Sequence, residues 1–181
     1  VLAAVLPMLP VGVPFVLSFG NQPSGNNTPL TQAQMFDADF GFNAGMLLNF
    51  VGGAVGEASA RFMLATGDYN LWTSGQIAQT IELADDTIDR AYDIGNGDGF
   101  RPFRPRFYAT FWPTINKITV RFVGENGLTT ELEDLAYSLT LWLGLAATPV
   151  YSFDLTGTQA THPKKHWARS NWTKTFWLGG E

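Results

Sequence analysis

The sequence predicts an all-β protein: a two-sheet β-sandwich, jelly-roll-like, with an extended apolar N-terminal arm and at most one or two short helices. Three observations carry that expectation. From residue 57 onward, apolar and polar residues alternate with a period of two in short runs, as in strands with one buried face. Turn-formers separate the runs, most plainly Gly95-Asn96-Gly97-Asp98-Gly99 and Gly124-Glu125-Asn126-Gly127. Residues 1–36 hold no charged side chain, and Asp37 is the first.

The 181 residues are 45% hydrophobic, 14% aromatic and 15% charged. That length suits one domain with a full core, and so rich an aromatic content excludes general disorder. The chain divides into an arm over 1–20, a linker over 21–36 and a β-sandwich over 37–181. It has no cysteine, which excludes a thiol nucleophile, disulfides and cysteine-bound metal. A net charge of −5 argues against a general nucleic-acid partner. The start at Val1 and the end at Leu178-Gly179-Gly180-Glu181 read as those of a processed chain or of a fragment, and excision from a longer precursor is one of the two expectations.

The arm is almost wholly apolar through residue 19, yet Pro7, Pro10, Pro14 and Gly12 interrupt it. Interior prolines break a helix, and a bilayer span needs about 20 apolar residues in an unbroken one. A signal peptide would begin with basic residues, and none stands here. The arm is therefore expected to be extended, with a strand over residues 13–19. Its apolar side chains Val11, Val13, Phe15, Leu17 and Phe19 need cover. They find it on their own domain or, by strand addition, on a neighbouring subunit; membrane attachment is the third and weakest reading.

Thr31 and Gln34 match a capping box for one short helical turn. The glycine-dotted stretch 41–56 reads as a bent buried strand or close-packed loop. Ala58, Ala60, Phe62 and Leu64 alternate with Ser59, Arg61 and Met63 and read as a strand. Ile77, Ile81 and Leu83 form the inner face of another, and Ile88, Tyr92 and Ile94 of a third. Phe107, Ala109 and Phe111 alternate with Tyr108, Thr110 and Trp112. The cleanest case is Ile118, Val120 and Phe122 against Lys117, Thr119 and Arg121. Residues 135–143, 151–156 and 172–178 complete the strands, and residues 128–135 read as a helix of about two turns.

Three clusters carry candidate chemistry. Residues 85–98 hold five aspartates against Arg90. Oxygens on a glycine turn suit Ca²⁺, so Asp93, Asn96 and Asp98 are the candidate ligands. A solvated hairpin turn explains the same residues, and Ile94 stands where a calcium loop opens on an acid. The second cluster is aromatic. Trp112 and Trp142 fall out of phase with the inner faces of their strands. With Tyr108 they are candidate stacking positions for glycan rings, or else an interface between subunits. The third is the basic and aromatic run 162–177, whose simplest reading is a loop leading into the last strand, its long side chains covering rings.

No catalytic constellation is legible. Two histidines and no nucleophile motif limit acyl-transfer chemistry. Glu125, Glu131, Glu133 and Asp134, the acids weighed for glycoside hydrolysis, cluster around a turn. Charge is uneven: residues 1–100 carry two arginines against ten acids, and residues 101–181 nine bases against six. The expected function is that of a non-enzymatic structural subunit or domain of an extracellular assembly, such as a surface filament, fibre or viral shell, partnered by copies of itself or by other subunits. The alternative is a carbohydrate-binding module of a larger secreted protein. No organic cofactor is expected, and Ca²⁺ is the one ion the sequence suggests.

Overall fold

The computed structural model describes positions 11, 12, 14, 16 and 25 and residues 27–50, 55–84, 103–126, 137–153 and 172–178. A short helix α1 (Gln32–Met35) precedes strands β1 (Ala44–Phe50) and β2 (Val55–Ser59). Helix α2 (Ala60–Thr66) leads to β3 (Tyr69–Thr73), β4 (Gln79–Ala84), β5 (Phe103–Trp112) and β6 (Lys117–Asn126). Strands β7 (Tyr137–Leu143), β8 (Thr148–Phe153) and β9 (Trp172–Leu178) follow. The strands form two antiparallel sheets, ordered β2-β1-β7-β8 and β3-β4-β5-β6-β9.

Alternation decides which side chains meet between the sheets. One sheet contributes Met46, Leu48, Leu139 and Leu141; the other contributes Ile81, Leu83, Phe107, Phe111, Ile118, Val120 and Phe122, all in one buried cluster. Each fully buried side chain of this size contributes roughly 1.5–3 kcal/mol against exposure. Phe111 takes the edges of Phe40 and Phe42 at 5.2 and 5.3 Å between centroids. Lys117 and Arg121 lie on the outer side, as their register predicts.

The expected capping box at α1 is present, with Thr31 and Gln34 exchanging side-chain-to-backbone hydrogen bonds. Met35 of this turn is fully buried. Gln79 is the one buried polar residue of the described core. Its Oε1 accepts from the Leu30 amide, and its Nε2 donates to Leu30 O at 3.4 Å. The segment ahead of α1 is thereby tied to the start of β4.

The strand expected over 57–64 ends early. Only residues to Ser59 are extended, and α2 follows. Ser59 caps it by accepting from Phe62 N, and Arg61, Met63, Leu64 and Ala65 are good helix formers. Ala60, Met63 and Leu64 face the core, whereas Phe62, expected inward, is 56% exposed. The helix carries the chain from the edge of one sheet to the edge of the other, touching β1 and β4. Ile77 is likewise outside, 43% exposed ahead of β4.

This order does not by itself establish the jelly-roll winding, because β3 to β6 form a meander within one sheet. The strand expected over 88–94 and the helix expected over 128–135 lie outside the described residues. No described helix is long and apolar enough to cross a membrane.

Candidate functional site

The outer face of the five-stranded sheet gathers the most chemistry. Period-two alternation turns Thr80 and Glu82 outward from β4, Arg106, Tyr108, Thr110 and Trp112 from β5, and Lys117, Thr119 and Arg121 from β6. Register then aligns them in rows. Asn70, Glu82, Tyr108, Arg121 and Thr175 form one row; Thr80, Thr110, Thr119 and Trp177 form the next.

Each row has its own bonding. Glu82 Oε1 accepts from Arg106 Nη1 and from Tyr108 Oη, both at 2.9 Å. The Glu82 and Arg106 side chains are 13% and 27% exposed, so the pair is partly shielded and orders the face more than it stabilises the fold. Trp72 meets the Tyr108 ring edge-on at 5.6 Å, and the Arg121 guanidinium lies 5.9 Å from that ring's centroid. In the threonine row, the Thr80 and Thr110 hydroxyls are 2.9 Å apart. Trp112 Nε1 donates to Thr119 Oγ1 at 3.1 Å, and its ring tilts against Trp177 at 6.4 Å.

Two aromatic pairs thus flank a hydroxyl-lined strip. Tyr108 and Trp112 are four residues apart on one strand, about 13 Å along it at strand rise. An extended ligand or a protein surface spans that distance; a single small ring does not. Trp72 and Trp177 are 63% and 60% exposed, and so are open to a partner.

The sequence expectation placed Tyr108, Trp112 and Trp142 together. The structure joins the first two on this face. Trp142 belongs to the other sheet, where β7 pairs with β1, and its indole covers Gly45 directly opposite. Missing from the expectation were Trp72, Trp177, Glu82 and Arg121 as members of the face. Trp177 shares a phase with Thr175, a signal the sequence holds; the approach of Trp72 to Tyr108 depends on strand pairing.

Asp93, Asn96 and Asp98 lie outside the described residues, as do Val13, Phe15, Leu17 and Phe19 and the part of the basic and aromatic run over 162–171. So do Glu131, Glu133 and Asp134, together with the side chain of Glu125. Val11 and Val16 of the arm are described and exposed. Among the described residues no group of three or more His, Cys, Asp or Glu is placed to hold a metal ion. No protein-family model matches the chain, and no match was found among curated proteins or solved structures.

Proposed function

We propose that this chain is a non-enzymatic β-sandwich subunit of an extracellular, cell-surface or virion-surface assembly, and that the outer face of the five-stranded sheet is a contact between subunits. The observation that supports this most is the pair of exposed indoles, Trp72 and Trp177, on the two edge strands of that face. Aromatic residues and arginine are the residue types enriched where protein surfaces meet. Between them lie the arginine and carboxylate groups that fix orientation. The uncharged arm over 1–20 is the second proposed connector. Jelly-roll-like winding is our reading for the whole chain, since the passages from β2 to β3, β6 to β7 and β8 to β9 each cross between sheets.

Sedimentation velocity and electron microscopy of the intact chain test the reading. Polymers or closed particles are expected, and Trp72→Ser with Trp177→Ser should shift them towards monomer without changing the melting temperature by more than a few degrees. A monomer at every accessible concentration overturns it.

The same face supports a second reading, glycan binding. Tyr108 and Trp112 are half-buried, with the exposed indoles of Trp72 and Trp177 against them, and together they set ring surface beside hydroxyl, carboxylate and guanidinium groups, the mixture that sugar C–H faces and hydroxyls require.

A further inference from the structure

A groove separate from the sheet face lies between the end of α1, the residue ahead of β1 and the exposed side of α2. Its volume is about 430 Å³, and it is lined by Phe36, Asn43, Ser59, Arg61, Phe62 and Ala65. That size falls in the range of small-ligand sites.

Arg61 is held at this wall by two contacts. Its Nη1 donates to Phe42 O at 2.7 Å, and its guanidinium carbon stands 4.6 Å from the centroid of the Phe36 ring. A guanidinium has five N–H donors in a planar fork, and one carbonyl and one ring face occupy few of them. Among the described residues no carboxylate pairs with Arg61. The next residue after Phe42 is Asn43, whose Oδ1 is closed off from water and has no hydrogen-bond partner. An acceptor in that state is costly to the fold unless a donor arrives. Asn43 also lines the groove, so rotation of its amide about the soft last torsion would turn the oxygen towards a donor there. Among the described residues, a cation without an anion, an acceptor without a donor and two phenyl rings therefore share one recess.

We propose that the groove binds a carboxylate whose apolar body also carries an N–H, the chemistry of an N-acylated apolar amino acid, either free or as the last residue of a peptide. The carboxylate takes the open fork of Arg61, where charge-assisted and bidentate bonding is strong. The amide N–H serves Asn43, and the apolar side chain lies against Phe36 and Phe62.

Calorimetric titration of the full chain with N-acetyl-L-leucine tests this. Saturable binding is expected, and N-acetyl-L-leucinamide, which lacks the carboxylate, should bind at least about tenfold more weakly. Arg61→Gln and Asn43→Leu should each weaken the acid. Because either change touches the fold, Ala65→Trp serves as the second variant: it fills the groove from the exposed side of α2 and should abolish binding while the melting curve holds. N-acetyl-alanyl-alanyl-leucine separates the sources, tighter binding assigning a peptide end and equal binding a free acylamino acid. Failure of the acid to saturate, equal binding of acid and amide, or undiminished binding to the Ala65→Trp variant overturns the proposal. None of these readouts depends on assembly, so the fate of the sheet-face contact is a separate result.

Discussion

Gly45 and Trp142 face each other across β1 and β7, and the space between them is already full. A Cβ built on Gly45 falls inside the Trp142 indole. The glycine is buried because the ring covers it, and the ring is held because the backbone beneath it is bare. Such covering of a strand glycine by a cross-strand aromatic restores packing that the glycine lacks. Gly45→Ala should therefore force the indole off its site and cost about 1–3 kcal/mol, the usual range for overpacking. Urea denaturation with a fixed m-value measures it. Trp142→Ala in the same background should recover part of the loss, since the added methyl then has room. If Gly45→Ala is neutral alone, the indole does not rest on Gly45. The pair also explains why Trp142 is a poor stacking residue: its ring face is engaged within its own sheet.

Helix α2 shows where sequence periodicity stops deciding. Ala58, Ala60, Phe62 and Leu64 satisfy a period of two, while Ala60, Met63 and Leu64 satisfy the helical period over the same residues. The ends decide between them. Ser59 caps the first turn, and Gly67 adopts φ of 83° at the last. Asp68 N donates to Met63 O at 2.9 Å and Gly67 N to Leu64 O at 3.3 Å, the paired bonds of a glycine-terminated helix. An alanine at a positive φ is strained, so Gly67→Ala should lower stability by about 1 kcal/mol, read as an earlier denaturation midpoint. An unchanged midpoint would mean that the left-handed terminus does not hold α2. Strands β5, β6 and β7 were legible because each alternates large apolar with polar side chains, as in Ile118, Val120 and Phe122. Strand β3 was not, because it is an edge strand with Asn70, Leu71 and Trp72 all exposed. The site divides the same way. Tyr108 and Trp112 share a face by local alternation, which sequence carries. Glu82, Arg121, Trp72 and Trp177 join them through pairing between strands distant in sequence, which sequence carries only once register is known.

At the scale of the molecule, the two readings of the sheet face differ in what else they need. A glycan module needs the face alone. A polymer needs a second, complementary surface, because one patch that pairs only with itself stops at a dimer. The arm is the natural second surface. Residues 1–36 carry no charge, and covering apolar area stabilises by roughly 25 cal/mol per Å², so side chains such as Phe15, Leu17 and Phe19 would together contribute several kcal/mol. Prolines restrict the arm before it docks and lower the entropy lost on ordering. They also suit an edge or added strand, where a missing N–H faces away from the ladder. Deleting residues 1–20 should then leave a folded chain that no longer grows beyond small oligomers. Far-ultraviolet circular dichroism checks the fold, and sedimentation velocity the size. A truncated chain that polymerises as before removes the arm from the mechanism, and one that unfolds makes the arm part of its own sandwich. The double variant Tyr108→Ala with Trp112→Ala completes the comparison. On a glycan module it abolishes retention on an immobilised polysaccharide and leaves a monomer unchanged. On an assembly subunit it weakens particle formation, and polysaccharide retention is absent from the parent chain as well.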